Sequence, residues 1–139
     1  MFAITTVQIW TLDQDEALDF WTKKAGFELR EDASYPELGG FRWLTVGLPG
    51  QEWPMLVLMA IPGEPVFPPE STQAIRSLLT KGHSGGIFFE TDDAQKIYEQ
   101  LVANGVEITD PPEKRPYGID FGFRDPSGNS FRVSQRTTD

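Results

Sequence analysis

Two stretches of this chain are variations on one pattern. Residues 11–29 read TLDQDEALDFWTKKAGFEL, and residues 90–108 read ETDDAQKIYEQLVANGVEI. Asp13 aligns with Asp92 and Gly26 with Gly105, each pair 79 positions apart. A repeat of this length says that one supersecondary unit is used twice, which removes most fold classes at once.

Inside each stretch the apolar spacing is helical. Ala17, Leu18, Trp21 and Ala25 recur at three- and four-residue steps, as do Ala94, Ile97, Leu101 and Asn104, with Tyr98 beside them. Asp13 and Asp92 are placed to cap these helices by accepting free backbone N–H groups, with Asp93 a first-turn residue favoured by the helix dipole. Gly26 and Gly105 are placed to end them in a left-handed conformation.

AITTVQIW and GGIFFET, ahead of the helices, are short and rich in β-branched or aromatic residues, as strands are. Further strands are expected at Phe27 to Arg30, Phe41 to Val46 and Trp53 to Ala60, and again at Val106 to Ile108, Ile119 to Phe123 and Ser130 to Gln135. Each half therefore reads β-α-β-β-β. The last hairpins turn at LPGQEW in the first half and DPSGNS in the second. The reading divides the chain into a first module, 1–61, a proline-rich linker, 62–83, and a second module, 84–139, within one structural domain. In the linker, Pro62, Pro65, Pro68 and Pro69 favour extended or turning backbone. Ser71 to Leu79 could form a short helix capped by Ser71, serving as a lid or a dimer contact.

Composition excludes several functions. The formal charge of −9 would repel nucleic acid, whose binding rests on neutralising phosphates. No run approaches the roughly 20 apolar residues of a membrane span. The opening MFAITTVQIW has neither the basic flank nor the cleavage signal of a secretory peptide, and there are no cysteines; both suit a cytoplasmic protein.

The doubled β-α-β-β-β plan, ALDFWTKKAGFEL, FETDDAQKIYEQLVANGVEI and DPSGNSF together resemble the vicinal oxygen chelate superfamily. That superfamily includes glyoxalase I, extradiol dioxygenases, fosfomycin-resistance enzymes and bleomycin-resistance proteins. The resemblance runs from about Thr5 to Val133. It implies an α+β fold in which two tandem βαβββ modules form a cupped, barrel-like mixed sheet with helices outside. It also implies a homodimer, because two modules close a cleft within a chain or across a dimer.

Metal-dependent members of that superfamily hold a divalent ion with a histidine on the first strand, a histidine opening the second half and a glutamate on the last strand. Carried onto this chain, those positions are Thr6, Gly86 (or Gly85) and Arg132. The first half's last strand, MLVLM from Met55 to Met59, offers no oxygen ligand from its side chains. A catalytic cation needs about three imidazole or carboxylate ligands, and a guanidinium in their midst would repel it. The expectation is therefore no metal and no other cofactor; Zn, Fe, Mn or Ni would enter only if the ligands were displaced. The single histidine, His83, lies in the loop KGHSGG and reads as an exposed loop residue.

Strand alternation selects the residues that face the expected cleft. On the first strand they are Thr6, Gln8 and Trp10. Phe41, Trp43 and Thr45 follow in the first half, and Gly86, Phe88, Glu90, Ser130, Arg132 and Ser134 in the second. Of these, Thr6, Gln8, Trp10, Trp43, Phe88, Glu90 and Arg132 form the candidate ligand-binding set; no catalytic residue is assigned. Trp10 and Trp43 either stack on a flat ligand or pack in the core. Arg132 either pairs with Glu90 across the sheet or holds a ligand's carboxylate in its planar fork. Arg115 and Tyr117 could line the mouth of the cleft. The sequence thus points to a metal-free, small-molecule-binding protein of the glyoxalase/bleomycin-resistance type. The alternative is a metal-dependent lyase or dioxygenase with displaced ligands.

Overall fold

The computed structural model describes residues 1–136; the last three residues of the expected second module, 137–139, lie outside the described residues. The strands form two four-stranded mixed sheets, one in each module. The first contains β1 (Thr6–Thr11), β2 (Glu28–Tyr35), β3 (Phe41–Gly47) and β4 (Met55–Ala60), in the order β1-β4-β3-β2. The second contains β5 (Phe88–Glu90), β6 (Glu107–Arg115), β7 (Gly118–Arg124) and β8 (Ser130–Arg136), in the order β5-β8-β7-β6. In each, the first and last strands pair in parallel and the others antiparallel. This is the twice-used β-α-β-β-β unit of an α+β fold.

The chain separates into two compact units, 1–77 and 78–139. The boundary falls inside helix α2 (Pro69–Thr80), which occupies most of the expected linker. This helix starts two residues before Ser71, so Ser71 is not its cap; a proline suits a helix's first turn because it lacks the N–H that would go unbonded there.

The two repeated helices differ by one residue. Helix α1 (Gln14–Asp19) continues into a π-helical turn (Phe20–Lys24), whereas α3 (Ala94–Ala103) is regular. Asp13 caps α1 by accepting from Glu16 N. The expected cap Asp92 is not the cap of α3; Asp93 is, accepting from Lys96 N at 3.0 Å. Cap to terminal glycine is thus 13 residues in the first module and 12 in the second, and the π turn absorbs the difference. Its signature is Ala25 N donating to Phe20 O and Phe27 N to Trp21 O, each one residue wider than in α3, where Asn104 N donates to Gln100 O and Val106 N to Leu101 O. Gly26 and Gly105 both take the left-handed conformation, with φ of 80° and 79°.

In the first unit, Trp21 is fully buried between Phe20 and Phe27, with ring centroids 5.2 and 4.9 Å away. Leu44, Val46, Leu56 and Leu58 complete that core. The parity of β4, ambiguous in sequence, follows from its register: Val57 aligns with Gln8 and Thr45, while Leu56 and Leu58 turn into the core. In the second unit Phe121, Phe123, Phe131 and Val133 are buried, and Tyr98 of α3 packs edge-on against Phe121 at 5.6 Å. Burying each such side chain contributes roughly 1.5–3 kcal/mol.

Several strands depart from their expected bounds. Strands β2 and β6 run to Tyr35 and Arg115, because polar edge strands carry little hydrophobic signal. Strand β5 is only three residues long, so Gly86 precedes it. A Cβ on Gly86 would collide with the Ser130 carbonyl, which explains the glycine by close backbone approach.

Candidate functional site

Sheet register places the candidate residues in rows. Across the second sheet, Phe88, Arg132, Gly122 and Asp110 stand side by side, one from each strand. The next row is Glu90, Ser134, Asp120 and Glu113. Because side chains opposite one another in register share a face, these two rows define one polar face. The opposite face carries the buried phenylalanines and Val133.

Arg132 does not pair with Glu90. Its guanidinium grips Asp110 in a bidentate contact, Nη1 to Oδ1 at 2.6 Å and Nη2 to Oδ2 at 3.0 Å. It also donates to Asp120 Oδ2 from Nε at 3.1 Å and Nη2 at 2.7 Å. Asp120 is buried and receives two further donors, Arg115 Nε at 3.2 Å and the Tyr117 hydroxyl at 3.2 Å. Glu90 instead pairs with Arg136. Arg115 reaches Glu113 at 3.3 Å. Every guanidinium on this face has a carboxylate partner.

The electrostatics follow. The hydrogen bond from Arg132 is the main influence holding the Asp110 carboxyl below its usual range. Burial pushes Asp120 up, but hydrogen bonds from Arg132 and Arg115 outweigh it and bring that carboxyl down as well. Arg132 is raised above its ordinary value, first by its bond to Asp110. All three groups are ionised at neutral pH, so the cluster is a fixed set of charges.

A recess of about 500 Å³ opens on this face, lined by Phe88, Glu90, Tyr117, Ser134 and Arg136. A second, of about 360 Å³, shares Glu90 and Arg136 and extends to Lys114 and Gln135. Phe88 is 81% exposed and Tyr117 57%, unusual for aromatic side chains on or beside a sheet.

In the first unit, register and alternation put Thr6, Gln8, Trp10 and Trp43 on one face of the sheet. Thr45, on the same face, is buried and donates to Glu31 at 3.2 Å. Trp10 meets Phe67 edge-on at 6.1 Å. Gln8 is exposed. His83 is exposed, as expected.

The DPSGN turn is built around its aspartate. Asp125 Oδ1 accepts from Ser127 N, Gly128 N and Asn129 N at 3.1, 3.0 and 2.9 Å, and Oδ2 from Asn129 Nδ2 at 2.8 Å. Burial pushes this carboxyl up to about 6, against the pull of those hydrogen bonds.

Sequence reasoning missed Asp110 and Asp120. A signal was present for the second: Asp120 interrupts the apolar run GIDFGF at the parity of its two glycines, marking a polar face. Asp110 lies in TDPPEK, which reads as a loop, and its place opposite Gly122 is set by the register shift between Ile108 and Asp110 in β6.

The chain belongs to the Glyoxalase/Bleomycin resistance protein/Dioxygenase superfamily, whose family model matches residues 3–133. It is similar to the uncharacterized protein YurT of Bacillus subtilis (strain 168), at 31% identity, covering 96% of this chain and 98% of that one. Among solved structures it is similar to UcmS2, with 37% identity, a TM-score of 0.89 and coverage of 97% and 98% of the two chains. It is also similar to TnmS3, an antibiotic binding protein from Streptomyces sp. CB03234, with 28% identity, a TM-score of 0.71 and coverage of 99% and 98%.

The positions that the resemblance implies for the family's metal ligands, Thr6, Gly86 (or Gly85) and Arg132, supply no imidazole or carboxylate to a divalent ion. Thr6 offers a hydroxyl 3.2 Å from that of Thr5, Gly86 no side chain, and Arg132 a cation already held by two carboxylates. Among the described residues, no group of three or more His, Cys, Asp or Glu side chains is placed to hold a metal, and no helix is long and apolar enough to cross a membrane.

Proposed function

We propose that this protein binds a small organic molecule without a metal ion; the candidate surfaces, each taken by itself, are the polar face of the second module and the Thr6–Gln8–Trp10–Trp43 face of the first. The observation that carries the reading is the guanidinium of Arg132 at the place of the family's glutamate ligand, fixed there by Asp110 and Asp120. The likeness to TnmS3, an antibiotic binding protein, supports sequestration over catalysis. A recess of about 500 Å³ is within the range of small-molecule sites, about 300–1,000 Å³. The same reading places the protein in the cytoplasm as a homodimer, a state that sedimentation measures directly.

Two measurements test it. Protein purified without chelator should carry no stoichiometric Zn, Fe, Mn or Ni; one equivalent of any of them would overturn the metal-free assignment. A thermal-shift screen of metabolites and antibiotics should give compounds that raise the melting temperature, since a ligand binding only the native state stabilises it.

A further inference from the structure

The first module's sheet stops pairing where the second's does not. Strands β3 and β4 pair only at Thr45–Val57 and Val46–Leu56, whereas β7 and β8, the same two strands of the repeat, hold seven pairs from Gly118–Arg136 to Arg124–Ser130. Carrying the β3–β4 register on would set Leu44 against Leu58, Trp43 against Met59 and Arg42 against Ala60. Backbone direction on β4 is fixed by Met55 N, which donates to Thr5 O. Met55, Val57 and Met59 therefore turn their backbone groups to β1, and Leu56, Leu58 and Ala60 turn theirs to β3. In an unbroken ladder Leu44 N would donate to Leu58 O, and Ala60 N to Arg42 O.

Both of those carbonyls are taken by a side chain instead. Gln14 Nε2 donates to Leu58 O at 2.8 Å and to Arg42 O at 3.2 Å. Because both partners are carbonyls, only the nitrogen end of the amide can face them, and its two hydrogens stand where the two strand donors would be. Gln14 is the first residue of α1, directly after the cap Asp13. The first residue of α3, directly after the cap Asp93, is Ala94, whose side chain cannot reach a strand carbonyl. There the tie runs the other way, Ala94 N donating to Gln135 Oε1 on β8 at 2.8 Å. The module with the glutamine has the broken ladder, and the module with the alanine has the continuous one.

We infer that Gln14 is a wedge that holds β3 and β4 apart, and so a positioning residue for ligand binding on the Trp10–Trp43 face of the first module. On that face Trp10 aligns with Met59, and the break falls between Met59 and Trp43, all three half-buried. In a continuous ladder Trp43 and Met59 would be a closely spaced pair, about 4.5 Å between Cα atoms. The inserted amide keeps them farther apart and leaves room between the indole and the thioether for the flat part of a ligand. The inference rests on the small-molecule reading above and gives it a place in the first module.

Amide exchange, followed by NMR on the full chain, separates a wedge from a mere brace by the sign of the effect. If Gln14 is a wedge, Gln14→Ala lets the strands close, and the Leu44 and Ala60 amides, now bonded in the ladder, should exchange about tenfold more slowly. If it only braces strands that diverge for another reason, those amides exchange at the same rate or faster, which would overturn the inference and leave the small-molecule reading standing. Should Gln14→Ala not fold, Gln14→Asn, whose amide is too short to span both carbonyls, takes its place with the same expected sign. The binding arm uses Nile red as the probe. The wild type should bind it saturably, and Gln14→Ala and Trp43→Ala should each weaken it about tenfold. Slowed exchange with Nile red affinity intact in both variants would overturn the ligand role of the gap. Absence of saturable Nile red binding by the wild type would overturn the small-molecule reading for this face and the ligand role with it, while the exchange rates still decide the wedge.

Discussion

Arg132 reaches Asp110 by crossing directly over Gly122. The three residues stand in one row on adjacent strands, and the guanidinium passes close over the middle strand, where Gly122 has no side chain. A Cβ on Gly122 would come within 2.6 Å of Arg132 Nη1 and 2.7 Å of Asp110 Oδ1. The φ of Gly122 is not in the left-handed region, so what constrains the position is the side-chain ends of Thr109, Arg132 and Asp110 around it. Gly122→Ala should therefore lower stability by about 1–3 kcal/mol, the usual range for overpacking. For a chain of this size that is a fall of roughly 3–10 °C in melting temperature, measurable by circular dichroism. An unchanged melting temperature would mean that the ion pair takes another path.

The role of the arginine's charge separates in two substitutions. Arg132→Ala leaves Asp120 buried with only Arg115 and Tyr117 as donors, and should cost about 2 kcal/mol, less than a fully buried pair because Arg132 is part exposed. Arg132→Glu restores the family's metal-ligand type but places a third carboxylate beside Asp110 and Asp120, and should cost more than alanine. Urea denaturation of the two variants reads the order; equal losses would show that packing and not charge is what the guanidinium supplies.

Much of this architecture was legible from the repeat alone. Two copies of one β-α-β-β-β unit, spaced by 79 residues, specify strand number, helix placement and which phenylalanines are core, because alternation and helical period report burial directly. What stayed hidden was set by register and by edges. Whether Arg132 meets Glu90 or Asp110 depends on which residue lies across two strands, and β6 has a register shift on either side of Asp110. The polar edge strands β2 and β6 were underread for the same reason: without a buried face there is no alternation to detect. Alternation alone does put Phe88 and Glu90 on one face, and register sets Phe88 beside Arg132 and Glu90 beside Ser134.

The pH dependence of stability should have two opposed limbs. Asp110, Asp120 and Asp32 have folded values below the unfolded one, so their contribution is present above about pH 3.8 and is lost as the pH falls through the depressed folded values. Asp125 has a raised folded value of about 6 against 3.8 unfolded, so the native state holds the extra proton between those values. Its contribution is fully present below 3.8 and declines as the pH rises to about 6. Urea titrations from pH 3 to 8 should show Asp125→Asn flattening the slope between about pH 4 and 6, with the acid limb kept. An identical profile in the variant would show that the hydrogen bonds of the turn keep Asp125 ionised through that window.

The last prediction concerns the one-residue mismatch between the repeated helices. In the second module the cap is Asp93, whose carboxylate accepts from Lys96 N, while Asp92 is exposed and makes no cap bond. Asp93→Ala should cost about 1 kcal/mol, the typical value of a lost N-cap, and Asp92→Ala only a few tenths. In the first module Asp13 is the cap, and the extra residue before Gly26 is taken up by the π turn at Phe20–Lys24, which lets Trp21 and Phe27 both reach the core. Deleting the exposed Lys23 shortens the cap-to-glycine distance to that of the second module. The turn should then close as regular α-helix, with Ala25 N now donating four residues back in the shortened chain. Amide exchange and chemical shifts over residues 18–27 would report the change. If the deletion instead unfolds the first module, the π turn is what seats Trp21, and its extra residue is a packing requirement of that core.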